Sequence, residues 1–385
     1  MNQVTRKVFE PFVFDNGIEL RNRVAMAPMT TWAGNADGTV SDEEIAYYQR
    51  RVNGVGLVIT GCTHVLANGI GFTDEFAAFD DTFVPSLKRL AKAAKSGGAT
   101  AVLQLFHAGN KAVLELVPDV VSASAVSIDA GPFSVSATPR AMTQEEIHDV
   151  ILAFGEATRR AIEAGFDGIE LHGAHGFLIQ NFFSPKFNQR DDEWGGSLEN
   201  RLRFPLAVVH EIHRVIKAHA DRPFLFGYRI SSDETGENGL RIDDTCVLVD
   251  GLIESGIDYL HISLGSVLET VPVDGQGDQT TAKVILDHVD GRIPVIAAGQ
   301  IKTPRQAEEA LELGLSLVAV GQGLVINPDW VELAEKGHDD QIKTALNPAC
   351  SSPRRLPATM LEKWDLLVST GRSASMLRRC ASSFT

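Results

Sequence analysis

Residues 143–175 read TQEEIHDVILAFGEATRRAIEAGFDGIELHGAH, and they hold a helix, its stop and a strand in succession. Thr143 followed three residues later by Glu146 predicts a helix start, because each side chain can satisfy the other's free backbone N–H. Ile147, Val150, Ile151, Phe154, Ala161 and Ile162 then recur at the spacing that lines one helix face. Gly165 stands where the helix should stop, since glycine tolerates the left-handed backbone of a C-terminal cap. Gly168–Leu171 is a short apolar run of strand type, closed by His172 and His175. A run that is apolar without alternation predicts a strand covered on both faces, as a parallel sheet requires.

The same unit repeats along the chain. Runs rich in Val, Ile and Leu at 24–29, 56–60, 99–105, 168–171, 224–230, 259–263, 294–298 and 317–320 predict eight strands with helical patterns between them. Ser41 with Glu44 reads as another capping box, and Gly97, Gly256 and Gly314 as further helix stops. Eight such units call for closure, so the expected fold is α/β, a (β/α)8 TIM barrel over residues 1–347. The competing arrangement is an open doubly wound sheet, but no G-x-G-x-x-G follows the first strand to mark a Rossmann site. The segment FVFDNGIELRNRV predicts an N-terminal hairpin through Asn16-Gly17 that plugs the barrel bottom. Residues 108–142 form a long insertion after the third strand and are expected to roof the site. Residues 348–385, preceded by Asn347 and containing Pro348, Pro353 and Pro357, are expected to form a tail packing on the barrel or at a subunit interface of a homo-oligomer.

With 385 residues, 44% of them hydrophobic, the chain can bury a full core. Its formal charge of −15 opposes attraction to nucleic acid or to anionic membrane surfaces. No apolar run reaches the length needed to span a bilayer, and MNQVTRKVFEPFVF lacks the pattern of a signal peptide, so the expected location is cytoplasmic. Cys62, Cys246, Cys350 and Cys380 are far apart without a C-x-x-C pair, which argues against a disulfide framework, a zinc knuckle or an iron–sulfur cluster. A small-molecule substrate is the expectation that survives these exclusions.

In a barrel of this kind the carboxyl ends of the strands surround one pocket. Those ends deliver Pro28, Met29 and Thr30, then Cys62, Gln104, His172 with His175, Arg229, Gly299 and Gly321. IAAGQIKTP and VAVGQGLVINP place glycine turns ahead of helices, where backbone N–H groups suit a phosphate, although plain turns would read the same way. Arg229 ends an otherwise apolar run and must either emerge at the mouth or be paired inside. Gln104 and Cys62, taken singly, read equally well as core residues. His172 and His175 admit three readings: metal ligands lacking a third partner at recognisable spacing, satisfied buried histidines, or donors aimed at a substrate oxygen that gains charge. The loop after them, with Arg190, Asp191, Asp192 and Arg201, is expected to be knitted by ion pairs.

NRVAMAPMTT, LQLFHAGNK, GFDGIELHGAHGFLIQNFFSPKFNQRDDEWGGSLENRLRF, YRIS and VGQGLVINPDW resemble, in order and spacing, the Old Yellow Enzyme family of flavin-dependent ene-reductases. The resemblance covers nearly the whole chain. It implies bound FMN, reduced by NADH or NADPH, and ping-pong hydride transfer through flavin N5 to enones, enals or related electron-poor acceptors. It assigns flavin contacts to Pro28, Met29, Thr30, Cys62, Gln104 and Arg229, and phosphate contacts to Gly299, Gly321 and Gln322. His172 and His175 match the pair that grips the substrate oxygen, and Trp32 an aromatic that shapes the pocket.

Two positions depart from the family pattern. Phe177 stands where many members carry a tyrosine that gives a proton to the α-carbon, and Gln322 where an arginine commonly helps to hold phosphate. They leave open a flavin-binding protein of low or specialised turnover, a sensor or a reductase of quinones or nitro compounds. Relatives that reduce dienoyl-CoA thioesters continue into a cysteine cluster and further domains, neither of which this sequence contains. Arg378 and Arg379 near the terminus read either as exposed charge or as a reach into a neighbouring subunit's pocket.

Overall fold

Asn16-Gly17 turns the chain back on itself, with Gly17 at φ +86°, so that β1 (Phe12–Val13) pairs antiparallel with β2 (Glu19–Leu20). This is a computed structural model, and it describes residues 6–131, 135–275, 277, 279–346 and 356–363. After the hairpin come β3 (Val24–Met26), β4 (Leu57–His64) and β5 (Thr100–Phe106), then β6 (Val121–Ser122) and β7 (Arg140–Ala141) within the insertion. They are followed by β8 (Gly168–Gly173), β9 (Leu225–Ser231), β10 (Tyr259–Ser263), β11 (Val295–Ala298) and β12 (Leu317–Val320). Eight of these close in the order β10-β11-β12-β3-β4-β5-β8-β9 through parallel ladders, a (β/α)8 barrel.

Helices cover the outside: α1 (Asp42–Arg51), α2 (Val84–Ala94), α3 (Gln144–Glu163), α4 (Leu178–Phe183), α5 (Leu198–His219), α6 (Ile242–Glu254), α7 (Thr281–Val289) and α8 (Pro304–Glu312). The short α9 (Gln322–Ile326), α10 (Trp330–Glu335) and α11 (Ala358–Glu362) follow the last barrel strand. Among the described residues no helix is long and apolar enough to cross a membrane. The strands separate two apolar layers. Outward side chains pack under the helices, while Ala25, Leu57, Ile59, Val102, Leu225 and Leu317 fill the barrel with Phe14 and Leu20 from the hairpin, which plugs it as expected.

Several local expectations need correction. The first strand ends at Met26, so Pro28 to Thr30 lie on the loop beyond it, whereas the second runs on to His64. That extension contains a bulge: Ile59 pairs with Val102 but Cys62 with Gln104, an extra residue that swings Cys62 beside Gln104. Gly61 permits it, since a Cβ there would lie 2.7 Å from the Met29 carbonyl oxygen. Ser41 caps α1 through the Glu44 N–H, but Glu44 does not return the bond. Its buried carboxyl turns inward to the Thr31 hydroxyl, and burial pushes its pKa up to about 7. Gly97 is no left-handed cap. It lets the chain pass against Val52, whose carbonyl oxygen would lie 2.2 Å from an added Cβ, and Gly98 carries the positive φ. In the loop after the histidines Arg190 pairs with Asp192, but Arg201 donates to the carbonyls of Phe183 and Gly196 instead of joining an ion pair.

Of the tail, the described residues 356–363 lie against the loop that carries Trp32, where Thr359 donates to the Trp32 carbonyl and Met360 is buried. Cys350, Cys380, Arg378 and Arg379 lie outside the described residues.

Inside the barrel glycine also makes room for aromatic rings. A Cβ at Gly227 would sit 2.0 Å from the Tyr259 ring, whereas one at Gly165, φ +84°, would meet nothing within 4 Å. Gly227→Ala should therefore cost about 1–3 kcal/mol through overpacking, and Gly165→Ala about 1 kcal/mol through backbone strain alone. Denaturant titration of the two variants checks the order, and a larger loss at position 165 would contradict this account of the barrel interior.

Candidate active site

A cavity of about 720 Å³ opens at the carboxyl ends of the barrel strands, within the usual range of cofactor and substrate sites. The residues singled out in the sequence line it together. They are Pro28, Met29, Thr30 and Trp32 after β3, Cys62 on β4, Gln104 on β5, and His172, His175 and Phe177 at and beyond the end of β8. Arg229 on β9, Gly299 after β11, and Gly321 with Gln322 after β12 complete the set.

Strand register explains the central charges. His172 and His261 flank Arg229 across β8, β9 and β10, and one layer below Cys62, Gln104 and Glu170 stand side by side on β4, β5 and β8. Glu170 is fully buried, yet Gln104 Nε2 donates to one carboxylate oxygen at 2.7 Å and His261 Nδ1 lies 2.9 Å from the other. Burial opposes its charge, but His261 and Arg229 outweigh burial and hold the carboxyl below its usual range. Arg229 thus emerges at the mouth and is balanced inside at once. Its Nη2 donates to Ser263 Oγ at 3.0 Å, while its buried Nε–H has no partner.

The two histidine rings stand 4.9 Å apart at 75°. His172 Nδ1 accepts from the Ala174 N–H at 3.3 Å, so a neutral ring carries its proton on Nε2. His175 Nε2 lies 2.7 Å from Ser263 Oγ. Burial of His172, helped by the neighbouring charges of His175 and Arg229, depresses its pKa well below the ordinary 6.5. Crowding by the cavity wall, with Arg229, moves His175, whose residue is exposed, in the same direction, so both rings are neutral in neutral solution. Among the described residues no group of three or more His, Cys, Asp or Glu could hold a metal ion.

His175 has φ +60°, Trp32 φ +52° and Gln300 φ +54°, left-handed conformations that cost a non-glycine residue of order 1–3 kcal/mol. All three line the cavity. His175 is held there from both sides of its backbone, its N–H donating to Ser231 Oγ at 2.9 Å and its carbonyl accepting from Lys111 Nζ at 2.5 Å. Phe177 is buried edge-on against His172 and Phe106, at 4.9 and 5.0 Å between ring centres.

The glycine-turn wall needs one correction. The N-terminus of α8 is closed by its own capping box, with Thr303 Oγ1 accepting from Gln306 N–H and Gln306 Oε1 accepting from the N–H groups of Lys302 and Thr303. It has no open helix end for an anion. The turns at Gly299 and Gly321 still line the wall, and Lys302 joins them. Sequence reasoning passed over Lys302, Glu170, His261, Ser263, Phe72, Lys111 and Lys186. The available signal was charge within apolar runs, as in GIEL and YLHIS; the loop residues carried none.

The site fits a planar, phosphorylated, electron-accepting group by its own features. The cavity is large enough, Arg229 lines it with a buried Nε–H that has no partner among the described residues, and a Cβ at Gly321 would intrude to 3.2 Å from Met29 Sδ. Comparison with known proteins agrees. The model of the NADH:flavin oxidoreductase / NADH oxidase family matches residues 7–341. A probable NADH-dependent flavin oxidoreductase, YqiG, of Bacillus subtilis is 42% identical over 96% of this chain and 98% of its own length. NADH:fumarate oxidoreductase of Klebsiella pneumoniae is 39% identical over 86% of this chain, which spans only 36% of that longer protein. The structure of the Old Yellow Enzyme homologue from Zymomonas mobilis superposes with a TM-score of 0.76 at 25% identity, covering 91% of this chain and 99% of that one. The chain therefore belongs to the NADH:flavin oxidoreductase / NADH oxidase family, enzymes of the Old Yellow Enzyme type whose cofactors are FMN and a reduced nicotinamide.

Proposed function

We propose that this enzyme reduces small electron-poor alkenes, such as enones and enals, at the expense of NADH or NADPH, the two substrates occupying the same cavity in turn. FMN, when bound, would supply the two-electron hydride chemistry that links the nicotinamide to the β-carbon of the alkene. The observation that carries this reading is the pair of neutral imidazoles at the end of β8, with His172 Nε2–H available to an acceptor oxygen. Such donors contribute most when negative charge develops on that oxygen, so they bind the transition state better than the ground state.

In this reading Pro28, Met29, Thr30, Cys62, Gln104 and Arg229 would hold the flavin ring. The fixed cation of Arg229 would favour the reduced, anionic form of such a ring. Gly299, Gly321 and Gln322 hold the phosphate, and Lys302 on the same wall supplies positive charge where Gln322 has none. Trp32, edge-on to Phe72 at 5.8 Å, shapes the pocket. Phe177 has no exchangeable proton, so the proton for the α-carbon comes from water or another acid. That position favours a second reading in which the preferred acceptor, a quinone or nitro compound, needs no carbon protonation.

The purified holoprotein should be yellow and be bleached anaerobically by NADH or NADPH. Replacing His172 and His175 together by Ala should then slow reoxidation by 2-cyclohexenone by ~10²-fold or more, with flavin reduction largely intact in stopped flow. Equal losses in both half-reactions would contradict the assigned role.

Phe177→Tyr should speed enone reduction and leave quinone reduction unchanged. No gain with the enone would place the limiting step elsewhere. Because both histidine pKa values are displaced downward, acidification must go well below 6.5 before either ring gains a proton. Reoxidation by a neutral enone should accordingly show no inflection between about pH 6 and 8, and a step near the ordinary histidine value would show that the rings titrate.

A further inference from the structure

The cavity is basic inside an acidic protein. Arg229, Lys302, Lys111 and Lys186 line it against one carboxylate, Asp129, while the chain as a whole carries −15. In the reading above Arg229 and Lys302 serve the flavin and its phosphate, which leaves two ammonium groups on the histidine side. Lys111 Nζ sits on the His175 carbonyl oxygen and 5.7 Å from the centre of the Phe177 ring. Lys186, exposed at the rim, holds its Nζ 5.2 Å from the centre of the Phe187 ring.

Neither ammonium forms an ion pair among the described residues. Glu234, the carboxylate whose charge acts on Lys111, has its oxygens taken up by Gln180, Ser184 and the Leu240 N–H. Burial depresses the Lys111 pKa; the charge of Glu234 opposes that shift, and the smaller effect of the Lys186 charge adds to it. Two ammonium groups without an ion pair on one side of the cavity favour a bound anion there. An anion this close to His175 belongs to a molecule seated on the histidines.

We propose that Lys111 and Lys186 bind a carboxylate of the electron acceptor, so that the preferred substrates are activated alkenes that also carry a carboxylate. The proposal rests on the alkene-reductase reading. It divides the work within one ligand: the neutral histidines hold the activating carbonyl, and the lysines hold the separate anionic end. A carboxylate conjugated alone would be a poor activator because it already bears the charge that the histidines must accommodate. The pyrophosphate of the nicotinamide donor is a second source of negative charge, and the experiment separates the two.

The test compares trans-4-oxo-2-pentenoate with its methyl ester, which share one enone and differ in charge, on the holoenzyme and its Lys186→Ala and Lys111→Met variants. The acid should be preferred by about tenfold in kcat/KM, and each substitution should lower the acid-to-ester ratio by about tenfold, the effect of losing one charge-assisted contact. A parent enzyme without preference, or a ratio unchanged in both variants, overturns the proposal. So does a retained ratio with slowed flavin reduction by NADH, which assigns the lysines to the donor. If NADH bleaches the flavin but neither compound is turned over, the alkene-reductase reading itself has failed. Calorimetric binding of 4-hydroxybenzoate and its methyl ester then decides: an affinity loss in Lys186→Ala confined to the acid upholds the anion site, and any other pattern removes it.

Discussion

Arg229 can stand at the floor of the cavity because Glu170 stands one layer below it on the neighbouring strand. A guanidinium buried alone would cost several kcal/mol, and so would the carboxylate. Here the two charges offset one another, and the remaining groups are satisfied locally: Gln104 and His261 take the carboxylate oxygens, and Ser263 takes one guanidinium nitrogen. Among the described residues two buried nitrogens of this network, Arg229 Nε and His261 Nε2, have no partner. The barrel thus delivers a net polar feature to an otherwise neutral floor without leaving an uncompensated charge inside. The same network orders the site, because Gln104 is also the acceptor for the Cys62 thiol at 3.4 Å and Ser263 is shared with His175.

This arrangement explains which features were legible in the sequence. Apolar runs report strands because burial on both faces demands them, and eight runs alternating with helical patterns leave few topologies apart from a closed barrel. Strand ends then give the pocket, which is why Cys62, Gln104, His172 and Arg229 emerge from spacing alone. Periodicity reports the face that a residue occupies but not its partner on another strand. Glu170 lies 66 positions from Gln104 and 91 from His261, and no local pattern joins them. Lys111, Lys186 and Phe72 sit on irregular backbone, where position depends on turns that have no period. The Ser41 and Glu44 pair shows the limit from the other side: its spacing is right for a capping box, yet Thr31 offers the carboxyl a buried partner that spacing does not reveal.

Strain collects at the same mouth. Of the six non-glycine residues with left-handed φ among the described residues, three line the cavity, and His175 is pinned by bonds to both its N–H and its carbonyl oxygen. Conformations costing of order 1–3 kcal/mol each persist only where the surroundings impose them. At His175 the left-handed backbone turns the chain immediately after β8, so the second imidazole reaches the same cavity as the first, which is still on the strand. A relaxed backbone at this position would separate the two rings, and the pair of donors would become one.

Charge distribution completes the same logic at longer range. An acidic surface repels anions in general, so a phosphorylated cofactor, a nicotinamide dinucleotide and any anionic acceptor must all be drawn in by the cavity itself. Four cations lining one open cavity raise the positive potential there, and the field of the exterior is screened beyond about 10 Å at ordinary ionic strength. Lys302 lines the glycine-turn wall, whereas Lys111 bonds the backbone of His175. On the proposed reading Lys111 and Lys186 would influence exchange while Arg229 and Lys302 would influence retention, so that one basic cavity could hold its cofactor firmly and still release each visiting substrate.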